Sequence, residues 1–158
     1  MRWYAISMAL ILSGCLAPPT PAQQVTDAAR ELNLAARFGR MDIALGKAAP
    51  EARDRFMQRR QSWGHELRVV DVELSGMQIQ DADNAQVTVD VAWMRMREGI
   101  LRSTRVAQTY KRDDQGWQLT RERQLAGDRG LFGEAPPSLP PEPHKDVHFP
   151  TRTLGSVE

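Results

Sequence analysis

From Thr26 onward the apolar positions recur every three or four residues, at Ala28, Ala29, Leu32, Ala35 and Ala36, which is the spacing of one helix face. Thr26-Asp27 supplies an N-cap, and the pattern predicts a helix running to about Ala44 or Lys47, bent near Gly39. The small residues on its stripe require close packing against something flat. A second helix is expected from Pro50-Glu51, because proline at the first helical position and an acid beside it suit a helix N-terminus. That helix should turn Phe56 and Met57 inward and end before Gly64.

After Gly64 the period changes from three or four to two. Leu67 and Val69 alternate with Arg68, and then Val70, Val72 and Leu74 take the opposite parity, which predicts a bulge or burial on both faces. Ser75-Gly76 is a second bend candidate before Met77 and Ile79. Asp81-Ala82-Asp83-Asn84 reads as a tight turn. Val87, Val89, Val91 and Trp93 then alternate with polar neighbours and form the clearest strand of the chain. Glu98-Gly99 turns the chain into a third strand, Ile100 to Lys111, and Asp113-Asp114-Gln115-Gly116 turns it into a fourth, Trp117 to Leu125. Three short turns joining four strands predict an antiparallel meander.

Two helices before a long, bent, four-stranded meander predict an α+β fold with the helices on one face of the sheet. Over residues 27–125 the element order, the bent strands and the closing strand led by Trp117 resemble the nuclear transport factor two-like (NTF2-like) superfamily, also called cystatin-like. The resemblance implies a cone-shaped domain. Two helices are expected here where that superfamily usually has three.

A different pattern occupies the N-terminus. Arg2 precedes an apolar run from Trp3 to Leu12, about ten residues, which suits the core of a signal peptide. It falls well short of the roughly 20 residues of a membrane span. Leu12-Ser13-Gly14-Cys15 follows at once and resembles the lipobox of bacterial lipoproteins. The resemblance implies removal of residues 1–14, a diacylglyceryl group on the Cys15 thiol, and acylation of the new N-terminus with palmitate or a similar chain. Two or more chains make a stable anchor. The partner so implied is a membrane, and the location is the cell envelope, facing the periplasm in a Gram-negative host. There, Leu16 in place of aspartate favours the outer membrane. Residues 15–25, with Pro18, Pro19 and Pro21, read as an extended tether. The folded domain is then expected over 26–133. A tail from 134 to 158 holds six of the chain's ten prolines and is expected to be disordered, while Leu131 and Phe132 lie back on the domain.

Composition narrows the function classes. Formal charge is +1, and losing Arg2 with the leader would balance the chain, which argues against a nucleic-acid partner. A hydrophobic fraction of 41% is ordinary for a folded protein. The single cysteine excludes an internal disulfide. His144 and His148 have helical metal-ligand spacing, but Pro140, Pro141, Pro143 and Pro150 forbid a helix there, so no metal site is expected. No cofactor is expected either. His65, beside Trp63, reads as a packed loop residue.

The cone-shaped enzymes, ketosteroid isomerase and limonene-epoxide hydrolase among them, need a carboxylate base in an apolar pocket. Asp71, Glu73, Asp90 and Glu122 are the acids on the strands. Alternation places them on a solvated outer face, where they meet Arg102, Arg105, Arg121 and Arg123 across strands. No motif marks any of them as catalytic. Phe56, Met57, Trp93, Met94 and Trp117, with Met96 nearby, are the candidate lining of an apolar pocket, core being their commoner fate. The sequence therefore points to a non-enzymatic envelope lipoprotein binding a partner protein or an apolar ligand. The alternative is a small-molecule isomerase or hydrolase of the cone-shaped superfamily.

Overall fold

A computed structural model describes residues 18–134. The leader, Cys15, His144, His148 and the tail from 135 onward lie outside the described residues.

The first helix, α1 (Pro21–Arg37), starts five residues earlier than its apolar stripe announces. Thr20 caps it in a reciprocal box: Gln23 N donates to Thr20 Oγ1 at 3.2 Å, and Thr20 N donates to Gln23 Oε1 at 2.8 Å. Pro21 fits the first turn because its missing N–H has no helical acceptor there. Residues 21–25, expected in the tether, are therefore the first turn of α1. The helix ends where Gly39 takes a φ of +72°, a conformation open to glycine at little cost. The expected bend is thus a break, and a separate short helix, α2 (Met41–Gly46), follows it. The domain has three helices rather than two. The third, α3 (Pro50–Arg59), begins at the proline that predicted it. Its inward positions are Ala52 and Phe56, one turn apart. Met57 is rotated about 100° from Phe56 and is 40% exposed instead of inward.

Four strands follow: β1 (Leu67–Ile79), β2 (Asn84–Arg95), β3 (Leu101–Asp113) and β4 (Gly116–Gly127). They pair antiparallel in the order β1-β2-β3-β4. In β1 the register shifts between Val69 and Asp71 and again between Leu74 and Gly76, where the parity switch and Ser75-Gly76 predicted bends. In β4 it shifts at Thr120, between the pairs Thr109–Arg121 and Tyr110–Leu119, and again at Leu125. The loop between α2 and α3 joins the free edge of β4: Leu119 N donates to Lys47 O at 2.8 Å and Ala49 N to Leu119 O at 2.9 Å.

The helices cover one face of the sheet. Val25, Ala29, Leu32 and Ala36 of α1 pack with Phe56 over Val87, Val89, Trp93, Val106, Tyr110 and Leu119. The alanine-rich stripe lets α1 lie close to the strands. Among the described residues the core runs from Val25 to Leu131. No helix among them is long and apolar enough to cross a membrane.

Candidate functional site

The interior of the cone holds a polar network where alternation alone would place apolar side chains. Thr104, Val106, Gln108 and Tyr110 point inward from β3. On β4, Trp117 and Leu119 point inward, the bulge at Thr120 shifts the parity, and Glu122 points inward after it. Without that extra residue Glu122 would lie on the outer face, as its sequence parity predicts. The bulge corrects that expectation. Arg121 and Arg123, its neighbours, do face outward.

Glu122 is fully engaged. Arg60, the residue after α3, grips it with two nitrogens: Nη2 donates to Oε1 at 2.6 Å and Nη1 to Oε2 at 2.8 Å. Gln108 Nε2 donates to Oε1 at 2.9 Å. The two charged side chains are only 2% and 3% exposed. Gln108 Oε1 accepts from Asn33 Nδ2 at 2.8 Å and from the Tyr110 hydroxyl at 3.0 Å. Its Nε2 also donates to Asn33 Oδ1 at 2.9 Å. The Arg60 guanidinium stacks on Phe56, 3.5 Å from the ring centre. Burial raises the Glu122 pKa, but the charge and hydrogen bonds of Arg60, with help from Gln108, outweigh it and hold the carboxyl below its ordinary value. Tyr110 is pushed well above the usual phenol range, by burial first and then by the Glu122 charge.

The segment after β4 closes one end of this interior. Gly127, at φ +88°, passes so near the Ser103 carbonyl that any Cβ would collide with it. Asp128 N then donates to Ser103 O at 2.8 Å, and Thr104 Oγ1 donates to Asp128 O at 2.7 Å. On the other side Trp63 Nε1 donates to Leu131 O at 2.9 Å. The strap thus bridges the sheet to the loop between α3 and β1, with Leu131 completely buried beneath it. Phe132 rests on Arg59, 4.8 Å from ring centre to guanidinium.

Of the residues expected to line an apolar pocket, three share the core and two lie apart from it. Phe56, Trp93 and Trp117 are core side chains, Met57 is exposed, and Met94 is half-buried on the outer face. The grooves around the domain lie between elements. One of about 560 Å³ is lined by Arg59, Ser62, His65 and Phe132. One of about 360 Å³ is lined by Phe38, Met41, Trp63 and Val69. A third, of about 290 Å³, lies between α3 and β4 with Arg55, Arg59 and Arg121 on its walls.

Asp71, Glu73 and Asp90 lie on the outer face as alternation predicts. Asp71 pairs with Arg37 at 2.9 Å. Asp90 pairs with Arg105 through two contacts of 2.7 and 2.8 Å, which lower its pKa. Arg102 pairs with Glu98 instead of a strand acid, and His65 is exposed. Among the described residues no cluster of His, Cys, Asp and Glu could hold a metal ion.

Asn33, Arg60, Gln108 and Tyr110 carry no motif and escape a reading by alternation of apolar residues. Two signals do point to them. Gln108 interrupts the inward parity of Val106 and Tyr110, and Arg60 stands four residues after Phe56, one turn on along the helix.

No family model matches the chain, and no curated protein matches it. Solved structures share its fold. A ketosteroid isomerase-like protein from Erwinia carotovora atroseptica superposes with a TM-score of 0.57 at 12% identity, over 69% of this chain and 99% of that one. A SEC-C motif-containing protein from Rhodopseudomonas palustris gives 0.56 at 16% identity, over 68% and 83%. An NTF2-like protein from Cytophaga hutchinsonii gives 0.51 at 14% identity, over 65% and 94%. The domain has the NTF2-like α+β cone fold.

Proposed function

We propose that the chain is a membrane-anchored envelope lipoprotein whose NTF2-like domain binds a partner or an apolar ligand and performs no catalysis of its own. The observation that carries the non-catalytic reading is the state of Glu122. A general base in a cone-shaped pocket needs a carboxylate with a free lone pair facing substrate. Here both oxygens accept hydrogen bonds from buried donors, and the strap covers the interior beside them. The outer acids Asp71 and Asp90 lie on the outer face of the sheet, each held by an arginine and outside any apolar pocket.

The anchored reading rests on Leu12-Ser13-Gly14-Cys15 directly after the apolar run. The position of α1 is consistent with it: only residues 16–20 separate Cys15 from the first helical residue. Intact mass of the membrane-extracted protein tests the anchor. A mass matching residues 15–158 plus acyl chains is expected, and the Cys15→Ser variant should lose it. An unacylated chain beginning near Gln23 would overturn the anchor. For the binding role, a thermal-shift screen with lipids and small aromatics should yield a hit that raises the melting temperature. A ligand-free result, together with no repeatable partner from membrane extracts, would overturn it.

One observation favours a second reading, an isomerase- or hydrolase-type enzyme: a buried acid beside a tyrosine inside the cone. That reading requires the strap to lift and Arg60 to release Glu122. An activity abolished by Glu122→Gln with the fold preserved would establish it.

A further inference from the structure

The turn between β2 and β3 displays apolar side chains that the fold leaves uncovered. Met96 is 58% exposed, Ile100 57% and Leu101 62%. Leu101 stands opposite Met94, and Met94 opposite Arg68, so one row across three strands on the outer face reads Arg68, Met94, Leu101. The turn is rigid. Glu98 is gripped by Arg102 at 2.5 Å and approached by Arg95 at 3.8 Å, and Met96 N donates to Glu66 O at 2.9 Å. Large apolar groups held in place on a surface mark a contact site.

Both signs of charge flank this corner: Glu98 is taken up by Arg102 and Arg95, Glu66 is exposed, and Arg68 and Arg97 are exposed beside the apolar row. Arg97 stands at the tip and Arg68 beside Met94, while Arg105, Lys111, Arg121 and Arg123 lie farther along the outer face. Opposing them on that face are Asp71, Glu73 and Asp90. Asp71 is already matched by Arg37 from α1, and Asp90 by Arg105. Arg68, Arg97, Lys111, Arg121 and Arg123 make no ion pair among the described residues.

We propose that the outer sheet face, led by Met94, Met96, Ile100 and Leu101 and flanked by Arg68 and Arg97, docks on an anionic lipid surface. The apolar tip enters the interface, and the arginines meet phosphates at headgroup depth. A protruding tip with long side chains needs no matching groove, which favours a fluid surface over a protein cleft.

The test uses the chain beginning at Leu16, which lacks both leader and Cys15 and keeps the core from Val25 to Leu131. Docking and anchoring can then fail separately. Sedimentation with phosphatidylglycerol vesicles should exceed that with phosphatidylcholine vesicles and should weaken with salt. Arg68→Gln and Arg97→Gln should each lower partitioning about fivefold, and Ile100→Asp roughly tenfold or more. All three positions are exposed at least in part, so circular dichroism and melting should match the parent. Equal sedimentation with both vesicle types would overturn the proposal, as would none with either, or variants that bind like the parent. A stable dimer in solution that these substitutions dissociate would assign the face to a second copy and overturn it too.

Discussion

Two acids on this sheet, Glu122 and Asp90, are each gripped by an arginine through two short contacts, yet they sit in opposite environments. Asp90 and Arg105 meet on the outer face, 26% and 53% exposed. Glu122 and Arg60 meet inside the cone, almost wholly cut off from solvent. Water screens the first pair, which holds two side chains in one geometry for little net gain. The second pair has given up hydration on both partners, and only the mutual contact and the hydrogen bonds of Gln108 compensate. Similar geometry therefore carries different consequences. The outer pair shapes a surface, while the inner pair is a condition of folding.

The largest effect should come from breaking the inner pair on one side. Glu122→Ala leaves Arg60 buried without a counter-charge and should cost about 3–5 kcal/mol in urea unfolding. Replacing both partners, as Arg60→Met with Glu122→Leu, should recover most of that loss. If the double variant is no better than the single one, the pair is not the source of the penalty. Next comes Leu131→Ala, expected at about 2–5 kcal/mol from a buried leucine lost to a cavity. Hydrogen exchange should rise first in residues 128–133, where the strap is held, and an unchanged strap would show that its closure does not depend on Leu131.

Acid should separate the two pairs without mutation. The Glu122 pKa is lowered by folding, so its contribution is complete above the ordinary carboxylate value of 4.5. It is lost as pH falls through the folded value. Asp90 shifts in the same direction, but solvent screening makes its share small. Parent and Glu122→Gln melting curves should therefore converge as pH drops below the carboxylate range. The smallest effect belongs to Asp90→Ala, whose melting temperature should lie close to the parent's. A loss comparable to Glu122→Ala would erase the contrast between the two faces.

Much of the architecture was legible before the fold was known. The alanine stripe marks α1, Pro50 marks the start of α3, and the three polar turns mark the meander. The start of α1 was legible too, in the pattern Thr20-Pro21-x-Gln23, but the more obvious Thr26-Asp27 masks it. The separate α2 was not, because a glycine within a helical pattern reads equally as a bend or a break. Only the backbone sign at Gly39 distinguishes them.

The candidate site divides in the same way. The chain itself determined the alternation that puts Asp71, Glu73 and Asp90 outside, because strand side chains change face at every residue. It also determined the apolar corner at Met96 and Ile100, by placing large aliphatic residues beside a turn. The interior network was decided by tertiary structure alone. One extra residue at Thr120 rotates the rest of β4, and Glu122 moves from the solvated face to the core. That choice is made where β4 pairs with β3 and where Arg60 arrives from α3, more than sixty residues earlier in the chain. Local sequence cannot specify it, since the same acid among the same neighbours suits either face until a buried arginine exists to receive it.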